Sequence, residues 1–207
     1  MKKFLPEHLS KELLEKYGIR TAKCIFAESE DEVLKAAKKI GFPLVMKVVS
    51  EKIIHKSRVN GVLLNLKDED EVLDGYRKLM KIPDAEGVNL QPMLERGIEV
   101  VIGITKDENF ERVLMFGLGG VFVEELNDVS FRLIPINRCD AEEMINEIMG
   151  YRILKKIGIQ SIVTLLTKIS DIAERENIVE MDLNPVFVYE GDYAVADARM
   201  WILESLN

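Results

Sequence analysis

Histidine and cysteine are nearly missing from this chain of 207 residues, which holds two of each: His8, His55, Cys24 and Cys139. With no paired spacing and no His/Cys cluster, the cysteines are expected to be free thiols in a reducing compartment. No apolar run is long enough for a signal peptide or a membrane span, and Met1 leads directly into Lys2, Lys3 and Phe4. The expectation is a cytoplasmic protein with no membrane partner. Positive charge is in deficit, with a formal net charge of −8. That argues against nucleic acid as a partner and requires any anion site to be local. There is no G-x-x-x-x-G-K-[ST], which excludes a P-loop, and no G-x-G-x-x-G follows a predicted strand. Repeats, low-complexity stretches and Ser/Pro-rich linkers are also lacking.

What is present describes an ordinary globular chain, 47% hydrophobic and 31% charged. At this length it can bury roughly two-thirds to three-quarters of its unfolded surface as one domain or two closely joined lobes. Ser10 reads as an N-cap, with Leu9 and Leu14 as a hydrophobic staple, for a helix that ends near Tyr17 with Gly18 at its C-terminal position. Thr21 to Ala27 reads as a strand. Ser29 with Glu32 forms a capping box for a helix through Ile40, and Asp68 with Glu71 repeats it for a helix to about Lys81. With strands on either side of Ser50–Asn60 and another from Val88 to Met93, this is a small α+β lobe. Its two helices cover one face of an antiparallel sheet.

Beyond it, Ile98 to Thr105 and Arg112 to Phe116 read as a hairpin. Val121 to Leu126 and Phe131 to Ile136 are further strand candidates. Asp140 with Glu143 reads as the cap of another helix, and Ser161 to Glu174 as a long amphipathic one. A strand from Ile178 to Tyr189, a turn at Gly191 and a strand from Tyr193 to Ile202 close the chain.

Two places ask for chemistry. The run Leu44 to Val49 is apolar except for Lys47, and a lysine in a buried strand requires either a carboxylate or a ligand phosphate. The polar stretch after it carries Lys52, His55, Lys56, Ser57 and Arg58, and then Gly61 opens the next strand. Strand with lysine, basic loop, glycine and strand make a workable phosphate clamp. The second place is the acidic strand near the end. Glu180, Asp182 and Asn184 alternate and therefore share a face, and Asp197 lies on the strand expected to fold back on it. One or two carboxylates plus an amide, completed by phosphate and water, suit Mg2+. A solvated strand face is the alternative. Gly117-Leu118-Gly119-Gly120 is not a dinucleotide fingerprint and reads by itself as a tight turn.

The sequence G-F-P-L-V-M-K, followed by H-K-S-x-x-x-G-V, resembles the nucleotide-binding lobe of ATP-grasp proteins. It is most similar to the β subunit of ADP-forming acetyl-CoA synthetase (acetate–CoA ligase, ADP-forming). The resemblance continues through Gln91-Pro92-Met93, Glu99 to Gly103, Met115 to Glu124, Asp182-Leu183-Asn184-Pro185 and Asp197-Ala198-Arg199, covering nearly the whole chain in order. It implies an α+β, ATP-grasp fold of two lobes with the nucleotide cleft between them. Residues 20–90 would form the small lobe with its lid, and residues 1–19 and 91–207 the larger one with the metal site. It implies that ATP or ADP meets Lys47, Lys56 and the main chain of Gln91, Pro92 and Met93. Glu99 would serve the ribose or a lid lysine, or be an ordinary surface residue, and Gly119 and Gly120 would lie in a glycine loop near the cleft with Glu124 and Arg132.

Mg2+ would sit on Asn184 and Asp197, with Asp182 a lesser candidate, and His55 would carry or assist a phosphoryl group. The lid departs from the family's H-K-S-D-V-G-G-V at Arg58 and Asn60. The CoA-binding half of a complete ligase is missing, so the family's α subunit is the expected partner in a hetero-oligomer. The reaction implied is acyl-CoA + ADP + phosphate ⇌ carboxylic acid + CoA + ATP. Alternatives are a stand-alone ATP-grasp carboxylate ligase and a non-catalytic nucleotide-binding regulator.

Overall fold

A computed structural model describes residues 1–50, 52, 59–107, 112–120 and 128–203. The chain divides into two compact units, one of Met1–Leu5, Leu13–Thr21 and Arg96–Asn207, the other of Pro6–Glu12 and Ala22–Glu95. No helix among the described residues is long and apolar enough to cross a membrane.

The smaller unit is built on local signals. Helix α2 (Glu30–Ile40) starts where Ser29 Oγ accepts from the Glu32 amide, and the Glu32 carboxylate accepts from the Glu28 amide at 2.8 Å. Helix α3 (Glu69–Leu79) repeats the arrangement, with Asp68 on the Glu71 amide and Glu71 on the Lys67 amide, both at 2.8 Å. In each pair the cap satisfies a first-turn amide left without a helical partner, and the glutamate holds the amide just before the cap. Strands β2 (Ile25–Ala27), β3 (Leu44–Val49), β4 (Val62–Leu66) and β5 (Gly87–Pro92) form an antiparallel sheet in the order β2-β5-β3-β4. Leu44, Met46, Val48, Val88 and Leu90 face the apolar sides of α2 and α3. The alternate positions, Val45, Lys47, Asn89 and Gln91, therefore lie on the opposite face. Every residue of β3 is buried, so that second face is covered too. Residues 6–12, which include the first part of helix α1 (Glu7–Lys16), belong to this unit.

The larger unit holds an antiparallel sheet in the order β1-β11-β9-β6-β7-β8, with β10 paired to β9. These strands are β1 (Lys2–Leu5), β6 (Ile98–Thr105), β7 (Val113–Leu118), β8 (Val129–Leu133), β9 (Ile178–Tyr189), β10 (Asp192–Val195) and β11 (Arg199–Leu203). Its apolar side packs with α4 (Arg138–Glu147), α5 (Tyr151–Ile157) and α6 (Gln160–Arg175) around Ile102, Leu114, Phe116, Met144, Leu154, Leu166 and Met181. Each strand sends its other residues to the opposite side of the sheet, and the polar residues of β9 are on that side.

Several sequence expectations shift. Helix α1 begins at Glu7, not at Ser10: the Ser10 amide bonds the Pro6 carbonyl at 2.9 Å, closing a helical turn, and Ser10 is fully buried. Leu9 then falls on an exposed face and staples nothing. Of the strand read from Thr21, only Ile25–Ala27 is in the sheet, and Thr21 makes an isolated bridge to Val195. The strand read from Phe131 is β8, two residues earlier. The closing strand is two, β10 and β11, parted at residues 196–198. The short α5 has no counterpart in the sequence pattern. The candidate strand at residues 121–126 lies outside the described residues.

The cap of α4 is Asn137, three residues before the Asp140 read as cap. Asn137 Oδ1 accepts from Cys139 and Asp140 amides at 2.7 and 3.2 Å, and the Asp140 carboxylate accepts from the Asn137 amide at 2.8 Å. Asp140 is thus the third residue of a capping box. Asn137→Ala is expected to cost about 1 kcal/mol of stability, read as a lower midpoint in urea unfolding of the purified chain. An unchanged midpoint would show that this cap contributes nothing.

Candidate functional site

In the smaller unit, Lys47 is 5% exposed and reaches Glu7 Oε1 at 2.6 Å. Of the two partners its burial required, the structure supplies the carboxylate. The same oxygen accepts from Lys11 at 2.8 Å, and Lys11 also donates to Gln91 Oε1 at 2.6 Å and to the Ala22 carbonyl at 2.9 Å. Lys47 and Gln91 are thus joined, through Glu7 and Lys11, into one buried network. Pro92 ends β5 half-buried, and the next amide, Met93, donates to the Pro43 carbonyl at 3.1 Å. That amide is engaged by protein, so a ligand at this exit would meet other main-chain groups. Asn89 stands opposite Lys47 in the β3–β5 register and is fully buried, with no hydrogen-bond partner for either side-chain atom among the described residues. His55, Lys56 and Arg58, the lid residues singled out by the sequence, lie outside the described residues, as does Glu124.

The larger unit brings Glu99, Gly119 and Gly120 together. The Gly119 amide donates to the Glu99 carbonyl at 2.6 Å, and a Cβ on Gly119 would stand 2.9 Å from Glu99 Cβ and 3.0 Å from its carbonyl carbon. Only glycine allows this approach. Gly120 has φ +67, and a Cβ there would lie 3.4 Å from Glu99 Oε2. The two glycines therefore seat the turn directly against an exposed glutamate.

The acidic strand is arranged by register. Tyr193 pairs with Val188 and Val195 with Val186 on one side of the gap at residues 196–198, and Arg199 pairs with Asp182 on the other. The two partner numbers add to the same total on both sides, so no residue is inserted or lost across the gap. The Ala196 amide still bonds the Pro185 carbonyl at 3.0 Å. Asp197 therefore stands opposite Asn184. On its other edge β9 carries a bulge: Leu183 pairs with Ile102 and Val186 with Val100, leaving Asn184 and Pro185 against Val101 alone. A bulge re-aims side chains and gives proline, which has no amide hydrogen, a place in a sheet. Asn184 is exposed and Asp197 half-buried.

The neighbours of this pair are committed elsewhere. Asp182 accepts from Arg199, and Glu180 forms an exposed ion pair with Lys2. No cluster of three or more His, Cys, Asp or Glu residues is present among the described residues. Asn184 and Asp197 together offer one amide oxygen and one carboxylate. Arg132, grouped with the glycine loop in the sequence, instead pairs with Glu147 and Glu143. Its guanidinium, with the Ser130 hydroxyl, holds the Glu147 carboxyl down to about 2.

The sequence pattern assigns no role to Glu7, Lys11 or Arg199. A findable signal existed for the first two, because Glu7 and Lys11 are four apart and a helix starting at Pro6-Glu7 puts them on one face.

The fold with a lysine strand, a glycine turn on a glutamate and an Asn/Asp hairpin matches the ATP-grasp domain over residues 1–202, and the chain belongs to that family. Among its curated relatives, "Acetate--CoA ligase [ADP-forming] II" of Archaeoglobus fulgidus is 60% identical over 97% of this chain, which spans only 30% of that relative's length. "Acetate--CoA ligase [ADP-forming] I subunit beta" of Pyrococcus furiosus is 42% identical over 95% of this chain and 90% of its own. A solved structure of Ca. Korarchaeum cryptofilum dinucleotide forming acetyl-coenzyme A synthetase 1 superimposes with a TM-score of 0.83 at 38% identity, covering 97% of this chain and 93% of that one. It holds coenzyme A and Mg-AMPPCP, with its phosphohistidine segment pointing towards the nucleotide binding site.

Proposed function

We propose that this chain is the nucleotide-binding subunit of an ADP-forming acyl-CoA synthetase, working in the cytoplasm with a CoA-binding α subunit. It would exchange a phosphoryl group between ATP or ADP and a histidine during acyl-CoA + ADP + phosphate ⇌ acid + CoA + ATP. Support comes from relatives of matching length that are β subunits of such ligases, and from the nucleotide analogue and phosphohistidine segment of the Korarchaeum protein.

Lys47 meets the phosphates, while Gln91, Pro92, Met93 and Glu99 serve the base and ribose. The Gly119–Gly120 turn lets the nucleotide pass close to the main chain, and Lys56 adds charge from the lid. His55 accepts the phosphoryl group on a ring nitrogen: an N–P bond forms as the bond from phosphorus to the ADP oxygen breaks, and the reverse step regenerates ATP. Positioning and charge neutralisation account for most of the catalysis of such transfers.

The observation that carries the reading is Asp197 opposite Asn184 at the bulge of β9. An amide oxygen and a carboxylate are hard donors that fit Mg2+, a cation that keeps several waters and phosphate oxygens in its shell. Asp182 is the less suited third donor, because Arg199 already occupies it. When bound, Mg2+ supplies charge neutralisation at the phosphate oxygens. Asp197→Ala is expected to abolish most of the gain in ADP affinity that Mg2+ confers, while metal-free ADP binds as before. Calorimetry with and without Mg2+ makes the comparison, and an equal Mg2+ gain in both proteins contradicts the assignment.

A further inference from the structure

Helix α1 packs two charged side chains, Glu7 and Lys11, beside Lys47, the proposed phosphate contact. Glu7 and Lys11 lie one turn apart, 2% and 1% exposed, against the face of the small sheet that carries Lys47, Asn89 and Gln91. The Lys11 ammonium has three protons and meets three acceptors, Glu7 Oε1, the Ala22 carbonyl and Gln91 Oε1. An ammonium offers no lone pair, so Gln91 has to present its amide oxygen to Lys11, which turns the amide nitrogen the other way. Glu7 Oε1 then takes a second lysine, Lys47. Two lysines on one buried carboxylate oxygen are a poor device for stability alone, since well-packed apolar residues of similar volume often serve as well or better. The arrangement instead fixes two side chains, Lys47 and Gln91, in one orientation.

We infer that Glu7 is a positioning residue for nucleotide binding: it orients the Lys47 ammonium and keeps it charged, while Lys11 locks Glu7 and Gln91 in place. This rests on the reading of Lys47 as a phosphate contact. The physical consequence is a pH dependence. Among the described residues, the charged groups of α1 beside Lys47 include Glu7 and Lys11, its neighbours in the adjoining strands are Asn89 and Val62, and His8 lies on the same face, stacked on Phe26. Glu7 is a carboxylate in direct contact with its ammonium. Burial disfavours a charged lysine and a nearby anion favours it. Without the Glu7 charge, Lys47 loses its proton at lower pH, and its hold on an anionic phosphate disappears as pH rises through that range.

The test measures Mg-ADP affinity of the full chain at about pH 6.5 and about pH 9 for wild type, Glu7→Gln and Glu7→Gln/Lys47→Arg. Titration of the nucleotide itself is common to all three. Glu7→Gln is expected to lose about tenfold or more in affinity at the higher pH relative to wild type, with a much smaller loss at the lower pH. Arginine stays charged at both pH values, so the double variant is expected to follow wild type in slope. Should Glu7→Gln not fold, Glu7→Gln/Lys11→Met removes a positive charge along with the negative one and is read the same way. A Glu7→Gln profile parallel to wild type overturns the positioning role. Lys47→Met with wild-type affinity overturns instead the phosphate contact on which the role depends, so the two failures are distinct.

Discussion

His55→Ala is expected to leave Mg-nucleotide affinity nearly unchanged and to reduce phosphoryl exchange between nucleotide and partner by at least ~10²-fold. The chemistry needs an imidazole nitrogen that is neutral, exposed to the phosphate and flanked by cations. An unperturbed imidazole is mostly neutral at pH 7. In the sequence Lys56 and Arg58 follow His55 closely, and nearby positive charge favours the neutral, nucleophilic form. His8 is the chain's other histidine, and its ring is stacked on Phe26 with centroids 4.9 Å apart, a packing role with no link to exchange. Labelled phosphate transfer and thermal stability are measured on the same variant. A folded His55→Ala complex with undiminished exchange reduces the lid to a plain phosphate cover.

Lys47→Met makes the opposite separation. It is expected to weaken Mg-ADP binding by about ten- to a hundredfold, the loss of one or two charge-assisted hydrogen bonds to phosphate. Stability should change far less than for an ordinary broken buried pair. Glu7 keeps Lys11 at 2.8 Å when Lys47 is gone, so Glu7 is not stranded in the interior. Calorimetry with Mg-ADP and a melting curve on the same preparation decide the matter. Normal affinity in a stable protein makes Lys47 a structural lysine satisfied by Glu7.

How far the sequence could be read follows from how local each signal is. The caps at Ser29 and Asp68 place α2 and α3 correctly, because a cap is a contact within four residues, although the glutamate of each expected box holds the amide before the cap instead of the cap's own. Alternation along Ile178–Tyr189 marks β9 to the residue, and Gly191, with φ +72, turns it back. The same local logic misleads at Ser10 and Asp140, where an acceptable cap residue sits one turn inside a helix already begun at Pro6-Glu7 or at Asn137. The bulge that sets Asn184 against Val101, and the register that brings Asp197 opposite Asn184, depend on three strands at once. The acid-x-Asn pattern singled out Asp182 and Asn184 but did not set Asn184 opposite Asp197. The Glu7–Lys47 contact joins residues 40 apart. It explains the buried lysine by a partner that no spacing rule selects.

Whether the chain works as one subunit of an ADP-forming synthetase is tested most directly by ATP formation from acyl-CoA, ADP and phosphate, with and without a cognate CoA-binding α subunit. The mixture is expected to form ATP at a rate that depends on Mg2+, and the chain alone to form none. Sustained ATP formation by the chain alone, or none in a stable complex with the α subunit, would contradict the account.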